Sequence, residues 1–551
     1  MTKLKFAFAL MLLLIITGCN KNRSSDGSRV VAGITADIEN FSPLYAFSVD
    51  EGNISELLYL PLVSHRWNPE KSEIETYPML ASKWEWNEDS SSVILYLRDD
   101  VKWSDGQSFT AADVVFSFDA YSDPLVQSRL YGAFGNFYTD SLNHILPEKT
   151  FEVISPNKLK INFRPGANAG MYDIDFPILP GHVFDKVERK SFSTAAENFK
   201  PVTDGPYQLK EWKRNQFISL KADPRSFLHK EGSVNSIIFK VIPDYNNRIL
   251  QLKKGEIDLL EEIKSNDASA LKEQAGLNVV SVKGREYDYV GWNNIDPASF
   301  IKNNKIVPHK LFGTPAVRKA LTYAINRQEI IEEFLNNYGE ICSGPISPIF
   351  RQALNREVSP YGYNPEKARE LLKNEGWRDR DNDGILEKGT QKFSFTLAIP
   401  GGNPRRAFAA SVIKHNLRAV GIDVRVETLE LGYLIDNLNS KKLDAWIVSL
   451  YIPLPFDLKS CWHSDLKAAN LNFASYRNKN ADYIIEQIQK TNSPDELNNY
   501  YKKIQMLLHE DEPVSFLYWV DNVVAYNKKI KNIKIDPLGV IHDCWEWSTK
   551  D

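Results

Sequence analysis

The sequence predicts an α/β protein with two or more lobes, and three observations support this prediction. The chain has 551 residues, which exceeds the length at which a single hydrophobic core keeps growing. Hydrophobic residues make up 43 % and charged residues 25 % of the chain, the ordinary balance of a globular protein. Segments with strand alternation are interleaved with segments of helical spacing, which is typical of sheets covered by helices.

The N-terminus has the pattern of an export signal. Two lysines precede an apolar stretch from Phe6 to Ile16, which is shorter than the ~20 residues needed to cross a bilayer. The stretch ends in Ile-Thr-Gly-Cys, which resembles the lipobox of bacterial lipoproteins and makes Cys19 the candidate for lipidation. We therefore expect residues 1–18 to be a signal peptide and residues 19–28 to be a flexible polar tether.

The first part of the chain predicts a hairpin and a capped helix. Trp84 and Trp86 lie on one face of an alternating segment, an Asn-Glu-Asp-Ser turn follows, and the alternation returns around Leu95. Thr110, with Asp113 three residues later, has the spacing of an N-terminal helix cap before an apolar helical stretch.

Strand and helix segments alternate through the rest of the chain. The segments NSIIFKVIPD and YDYVGWNNID predict strands, and TPAVRKALTYAINRQEI predicts a helix. A strand, helix and strand follow in KFSFTLAIP, RRAFAASVIKHNLRAVG and DVRVETLEL, and PVSFLYWVDNVVAYN predicts a late strand. This order predicts a second sheet with helices on its faces.

Charge and motifs exclude several classes of function. A net charge of −4 argues against nucleic-acid binding, which needs a basic surface. The sequence lacks Gly-x-Ser-x-Gly, His-Glu-x-x-His, Cys-x-x-Cys and a phosphate-binding loop. These absences argue against an enzyme and against a cofactor, although a glycoside hydrolase stays open because its carboxylates can be distant in sequence.

The chain has four cysteines. If Cys19 carries lipid, three cysteines remain: Cys342, Cys461 and Cys544. They allow one disulfide and one free thiol, and the three possible pairings stay open.

The segment DRDNDGILEKGT matches the first half of a calcium loop, but Thr390 stands where the closing glutamate belongs. We expect a turn here rather than a metal site, with three candidate ligands: Asp379, Asp381 and Asp383.

Several longer segments are similar to one protein family. The stretch from residue 77 to residue 118, above all KWSDG followed by FTAADV, resembles the first lobe of the extracytoplasmic solute-binding proteins of family 5. These are the oligopeptide-, dipeptide- and nickel-binding partners of ABC importers. The segments DGPYQLKEW, TPAVRKALTYAINRQEI and NPEKARELLKNEGW are also similar to this family. The resemblance covers nearly the whole mature chain.

The resemblance implies a bilobed fold of the periplasmic-binding-protein type II, in its large class. Lobe one would hold residues 28–286 and 512–551, with an extra subdomain at 63–200, and lobe two would hold residues 287–511. A peptide or similar small solute would be enclosed between the lobes when they close about a hinge. The partners would be an ABC permease with its ATPases, and the exported monomer would be held at the membrane by lipid on Cys19.

Candidate cleft residues come from four parts of the chain, one of which is the segment LDAWIVSLYIPLPFD with Tyr451 and Asp457. The loop after the first strand, the crossing segment and the start of a second-lobe helix supply aromatic, amide and cationic groups. The open alternatives are core packing for the aromatic residues and a solvated helix start for the arginines. The candidates are Tyr45, Phe47, Trp292, Asn293, Arg405, Arg406, Tyr451 and Asp457.

The strand LDAWIVSLYIPLPFD differs from the peptide-binding pattern of the family. Members that bind peptides have Gly-Trp and then an aspartate for the α-ammonium, whereas Ser449, Leu450 and Pro453 stand at these places. Either Asp457 takes the role, or the ligand has no free α-amine at that place, and we favour the second. The alternatives to a peptide receptor are a glycan or metal-chelate receptor, or a hydrolase or adhesin on the same scaffold.

Overall fold

The computed structural model describes residues 28–467, 469–491 and 493–549. The predicted signal peptide, Cys19 and the tether up to residue 27 lie outside the described residues. Within those three ranges, none of the helices is both long enough and apolar enough to cross a membrane.

The first half of the chain alternates strands and short helices. Its elements, in order, are β1 (Arg29–Ile34), α1 (Val49–Leu58), β2 (Val63–Asn68), β3 (Glu73–Pro78), β4 (Ala81–Trp86), β5 (Ser92–Leu97), α2 (Ala111–Ser122), α3 (Pro147–Thr150), β6 (Phe151–Ser155), β7 (Lys158–Asn162), α4 (Gly181–Phe184), β8 (Tyr207–Lys213), β9 (Phe217–Ala222), β10 (Ser236–Val241), α5 (Tyr245–Lys254), β11 (Leu259–Leu260) and α6 (Ser265–Lys272).

The second half contains two long strands and most of the longer helices. Its elements are β12 (Leu277–Trp292), α7 (Pro297–Asn303), α8 (Pro315–Ala324), α9 (Arg327–Glu333), β13 (Gly339–Ile341), α10 (Pro365–Asn374), β14 (Glu387–Lys388), β15 (Gln391–Lys392), β16 (Ser394–Pro400), α11 (Pro404–Ala419), β17 (Asp423–Leu429), α12 (Leu431–Asn439), β18 (Ala445–Tyr451), α13 (Lys459–Trp462), α14 (Lys479–Ile488), α15 (Pro494–Asp511), β19 (Val514–Asn527), β20 (Ile530–Lys531) and β21 (Ser548–Thr549).

One mixed sheet of eleven strands extends through the molecule. Its order is β17, β16, β18, β12, β19, β11, β1, β10, β9 and β8, and β13 also pairs with β19. The sequence predicted a separate second sheet, and this is corrected by the structure. The strands β16 to β18 join the first-half strands because β12 and β19 are long enough, at 16 and 14 residues, to take part in both regions.

The predicted hairpin and helix cap are both confirmed. The strands β4 and β5 pair antiparallel and continue into β7 and β6 as a separate four-stranded sheet. The Thr110 N–H donates to Oδ2 of Asp113 over 2.9 Å at the start of α2. This cap satisfies one of the N–H groups that a helix start leaves free.

The two ends of the long strands β12 and β19 pack in different hydrophobic clusters. Leu277 of β12 and Val523 of β19 pack in a cluster with α5 and α6, whereas Tyr287 and Trp519 pack in a cluster with α14 and α15. Between these positions the β12–β19 pairing is irregular, from Val282 to Glu286. On β19 the change of core therefore falls after Trp519, later than the boundary at residue 512 that the sequence predicted.

The three described cysteines are free thiols. Cys342, Cys461 and Cys544 are all buried, and none is paired with another in this part of the chain. They behave here as small apolar core residues.

Candidate functional site

The long strands β12 and β19 join two regions of the molecule. The first region is built on β1 to β11, and the second is built on β13 and β16 to β18 with their helices. The candidate site lies where parallel strands of these two regions end. In the first region β1 and β11 end beside α1, at a cavity of about 130 Å³ whose lining includes Thr35, Asp50 and Glu261. In the second region the parallel strands β16 and β17 end beside the start of α11, and β18 ends at Tyr451. Ligands of open α/β sheets bind outside such carboxyl ends. We call the space between them the interlobe cleft.

Arg285 of β12 connects the two regions at the floor of this cleft. Its side chain is buried, and its guanidinium donates to the carbonyl of Ile452 over 3.1 Å and to the hydroxyl of Tyr451. It also donates to the carbonyl of Pro537 over 3.3 Å, in the C-terminal segment that packs against the first region. Arg285 therefore contacts both sides of the bend in the crossing strands.

Three acidic residues of the first region are together called the cleft carboxylates. Asp50 and Glu261 line the cavity, and the exposed Glu56 is on the same helix as Asp50. Solvent reaches the Glu56 side chain although protein surrounds it, as is typical of a residue that lines an internal space. Among the described residues, nothing donates a hydrogen bond to the carboxylate of Glu56 or Glu261. Burial raises the pKa of Asp50 to about 6, and burial and the charge of Asp50 raise the pKa of Glu261 to about 7.

The cations near the cleft carboxylates do not neutralise them by contact. The charges of His542 and Arg129 lower the pKa of Glu56, but burial and the charge of Asp175 raise it, and the net direction is upward. The charge of Arg248 acts on Asp50 in the same way. The cleft carboxylates therefore keep an unneutralised acidic character, which favours a cation in the cleft.

Tyr172 of the first region presents an aromatic ring near Arg285. Tyr172 is stacked on His65, with centroids 3.7 Å apart and an interplanar angle of 7°, and His65 in turn contacts the carboxylate of Asp175. The charge of Arg285 lowers the pKa of Tyr172, while burial, Asp175 and Tyr501 raise it. The Tyr172 ring is 36 % exposed, and a partly exposed aromatic ring with a hydroxyl suits an amphipathic ligand.

The two regions also touch beside the crossing strand β12. Trp67 of β2 meets Phe350 of the second region edge-on, with ring centroids 5.7 Å apart. A groove of about 670 Å³ opens next to this contact, between Ser72, Lys283 and the segment around Pro537. Its volume is in the range of small-ligand sites, and its lining from both regions shows that the lobes enclose solvent instead of packing flat against each other.

The predicted arginine pair is engaged within the protein. Nε of Arg405 lies 2.8 Å from Oδ2 of Asp288, and its Nη2 lies 2.5 Å from a carboxylate oxygen of Glu286. Arg406 donates to the hydroxyl of Ser449 over 2.6 Å. Burial lowers the pKa of Arg405, but Asp288 and Glu286 more than offset this and raise it. Neither a free anion receptor nor a solvated helix start describes these two residues.

The expectation that Trp292 and Asn293 line the cleft is corrected by their burial. Both side chains have no solvent-exposed surface. The Trp292 ring packs on Phe312 with centroids 5.0 Å apart, and its Nε1 donates to the hydroxyl of Ser515 over 2.9 Å. The Asn293 amide donates to the carbonyl of Leu443. A crossing strand at the centre of a sheet has both faces covered, which is why these residues are in the core.

The other predicted residues lie at the surface of the cleft region or beside it. The Tyr45 hydroxyl donates to the carbonyl of Val126 within the first region, and Phe47, 71 % exposed, precedes α1. Tyr451 is 55 % exposed at the end of β18. The exposed Asp457 accepts from the N–H of Ser460 over 3.1 Å and so caps the start of α13. The structure places only Tyr451 at the floor of the cleft.

Sequence reasoning missed the cleft carboxylates and Tyr172. Glu261 and Glu262 directly follow the short strand β11, and an acidic pair after a buried strand is a signal that could have been used, because strand ends meet at one edge. Glu56 has no such signal, since it stands among the polar positions of an ordinary amphipathic helix.

This fold and this site define a two-lobed receptor that encloses a small molecule between sheet ends. The family model for bacterial extracellular solute-binding proteins, family 5 Middle, matches residues 75–470. The chain belongs to this family. It is therefore a solute-binding protein of the ABC-importer type and not an enzyme, and it acts outside the cytoplasm. The predicted family and the bilobed α/β fold are confirmed.

Individual relatives cover most of the chain. The oligopeptide-binding protein AppA of Bacillus subtilis (strain 168) is 28 % identical over 572 residues, covering 99 % of this chain and 98 % of that protein. The dipeptide-binding protein of Escherichia coli (strain K12) is 26 % identical over 488 residues, covering 85 % of each. The solved structure of AppA from Bacillus subtilis with a nonapeptide has a TM-score of 0.72 at 26 % identity, covering 96 % of this chain and 99 % of that one.

A further solved structure supports the fold alone. The ABC transporter substrate-binding protein CtaP from Listeria monocytogenes has a TM-score of 0.78 at 21 % identity, covering 96 % of this chain and 100 % of that one.

Proposed function

We propose that the chain captures a peptide, or a comparable small solute with a positively charged group, between its two lobes. The observation that carries this proposal is a pair of solvent-accessible carboxylates without hydrogen-bond partners among the described residues, Glu56 and Glu261. A carboxylate whose pKa is raised by its surroundings and that has no partner in the protein is stabilised in its charged form by a nearby cation. An ammonium or guanidinium group of the solute would supply that partner when the lobes close.

Within the described part of the second region, the carboxylates near the end of β18 already have partners in the protein. Asp457 is committed to the cap of α13, and Asp288 and Glu286 are paired with Arg405. This supports the prediction that the solute has no free α-amine at the place where Pro453 stands. The positive group would instead face the first region, while Tyr172 and Tyr451 would contact apolar parts of the solute.

The wider setting follows from the family. Relatives named for oligopeptides and dipeptides support a peptide as the solute, delivered to an ABC permease and its ATPases. We place the hinge at the irregular pairing of β12 and β19 near Gly284, with lobes close to the predicted ranges 28–286, 287–511 and 512–551. The lipid on Cys19 would keep a monomeric receptor near its permease.

Calorimetry with matched peptides tests the proposal. A peptide with a free amine and a lysine is compared with its N-acetylated form and with a form in which norleucine replaces lysine. Loss of the group that pairs with Glu56 should weaken binding by about 10- to 100-fold, the range for hydrogen bonds to charged groups. Glu56→Gln should weaken binding of the parent peptide similarly, and Asp457→Asn should change it less than about twofold.

Three results would count against the proposal. Equal affinity for all three peptides would show that no positive group is recognised. A loss confined to Asp457→Asn would place the recognition in the second region. If none of the peptides binds, a peptide is not the solute.

A further inference from the structure

The acidic loop after α10 forms a cluster that the cleft does not use. The carboxylates of Asp379, Asp381, Asp383 and Glu387 each place an oxygen within 4.8 Å of the others. Arg418, in the last turn of α11, lies beside Gly384 of this loop. Because a helix rises 1.5 Å per residue, the loop is about 20 Å along α11 from Arg405 at the cleft end. The cluster is therefore separate from the solute site.

Glu387 is a fourth carboxylate of this cluster that the sequence did not predict. Its side chain is only 6 % exposed, and paired backbone hydrogen bonds with Arg378, of 3.0 and 2.7 Å, hold it in place. One carboxylate oxygen accepts from the N–H of Arg380 over 2.9 Å. The other is shielded from solvent and has no hydrogen-bond partner in the described ranges. A buried carboxylate oxygen left without a partner is costly, and here it belongs to a cluster of acids.

We propose that these four carboxylates bind a calcium ion. Asp379, Asp381 and Asp383 have the spacing of the first, third and fifth ligands of a calcium loop, and Glu387 stands at the ninth position. The sequence predicted a turn because Thr390 occupies the twelfth position. Glu387 supplies the additional carboxylate that closes the set from within the fold. An all-oxygen set without histidine or cysteine suits a hard divalent cation.

Two cations of the protein face the same carboxylates. Nζ of Lys392 lies 3.2 Å from Asp381 and also contacts Asp383, and the charge of Arg418 acts on Asp383. The Lys392 side chain is 47 % exposed, so it can turn into solvent when a metal enters. The four carboxylates exceed these two cations in charge, and a divalent ion concentrates its charge on one centre.

Calcium at this loop would stabilise the second region and leave the cleft unchanged. The loop joins α10 to the sheet, and it is anchored by Trp377, whose ring packs 4.5 Å from the ring of Phe393. An ion that links Asp379 to Glu387 would hold both ends of this connection together. Solute affinity should therefore not depend on the ion.

The test is calorimetric titration of the chelator-treated full-length protein with CaCl₂ and, separately, with MgCl₂. We expect calcium to bind with a Kd of about 10⁻⁴ to 10⁻³ M, the range of extracellular calcium modules. Magnesium should bind at least about tenfold more weakly, because it requires stricter geometry. Calcium should raise the melting temperature in the same concentration range.

Variants identify the ligands. Asp381→Asn, at an exposed position, and Glu387→Gln should each weaken calcium binding at least about tenfold. Lys392→Met should tighten it several-fold by removing the competing ammonium. Asp89→Asn, in the exposed turn between β4 and β5, is the matched control and should leave binding unchanged.

Absence of calcium binding by the unmodified protein up to about 10 mM would overturn the proposal. This holds even if the Lys392→Met variant binds calcium, because Lys392 would then be the permanent partner of the loop in the natural protein. Equal binding by the parent protein, Asp381→Asn and Glu387→Gln would also overturn it.

Discussion

Nε of Arg405 lies 2.8 Å from Oδ2 of Asp288, a carboxylate with no solvent-exposed surface. The same carboxylate accepts from the hydroxyl of Tyr518 over 3.0 Å and is 3.4 Å from Nε of Arg406. Asp288 is on β12 and Tyr518 is on β19, so the network joins the start of α11 to both crossing strands. A cation that sequence reasoning assigned to a ligand therefore holds the scaffold of the cleft.

Arg405→Met is expected to destabilise the protein by about 3 kcal/mol, because it leaves the buried charge of Asp288 with only part of its compensation. Urea denaturation measures the change. Arg425→Met is the matched control, since among the described residues the exposed Arg425 side chain hydrogen-bonds only to Thr396, and it should change stability by less than about 0.5 kcal/mol. Weakened solute binding with unchanged unfolding would instead assign Arg405 to the ligand.

Trp292→Ala should cost about 3–5 kcal/mol of stability, the usual loss for a buried aromatic ring. The variant also leaves the hydroxyl of Ser515 without its indole donor. Thermal unfolding measures the loss, and Trp292→Phe should restore part of it. Solute affinity, measured well below the transition, should stay close to that of the parent protein. A loss of solute affinity without a loss of stability would instead indicate that Trp292 contacts the solute.

Gly284→Ala should disturb the hinge. A Cβ atom at this position would lie 2.1 Å from the carbonyl oxygen of Val520 on the facing strand, so the crossing strands must move apart. We expect a lower melting temperature and a changed radius of gyration in small-angle scattering. Gly276→Ala, where nothing lies within 4 Å of the added atom, is the control. Identical scattering and stability for the two variants would show that the close approach is unimportant.

The cleft carboxylates make stability and binding respond to pH in opposite directions. Burial raises the pKa of Glu261 to about 7 and that of Asp50 to about 6, so the native state keeps protons that the unfolded chain has released. Their contribution to the free energy of unfolding therefore decreases as pH rises from about 4 to about 7. Affinity for a cationic solute should increase over the upper part of the same range.

Glu261→Gln isolates this effect. The difference in unfolding free energy between the variant and the parent protein should shift in favour of the variant as pH rises, and reach its plateau above about 7. The parent protein should bind a cationic solute at least about tenfold more weakly at pH 5 than at pH 8, because a group with a pKa of about 7 is only about 1 % ionised at pH 5. A difference independent of pH would contradict the raised pKa of Glu261.

Cys19→Ala tests the lipid anchor. The variant should accumulate as an uncleaved or mislocalised precursor and incorporate no labelled palmitate, since the acylated sulfur is gone. Mass spectrometry of the parent protein should show acyl chains on an N-terminal cysteine. A mature parent protein without acyl chains would make the lipobox prediction wrong.

The elements that depend on neighbouring residues could be predicted from the sequence. The β4–β5 hairpin depends on alternation around a polar turn, and the start of α2 depends on Thr110 and Asp113, three positions apart. The family could be predicted for a similar reason, because its motifs are short continuous segments. Such features are encoded within windows of a few residues, and tertiary contacts only had to preserve them.

Side-chain roles were decided by the tertiary structure. Trp292 reads equally well as a cleft ring or a core ring until the fold packs its ring against Phe312 and Phe395. Arg405 meets Asp288 across 117 positions of sequence, and Glu387 joins the acidic loop only because its backbone pairs with Arg378. The sequence by itself determined the α/β pattern, the family and the absence of a catalytic motif. Which charges are paired and which face the cleft depends on the packing of segments distant in the chain, and burial and partner distance, the quantities that set their energy, exist only after folding.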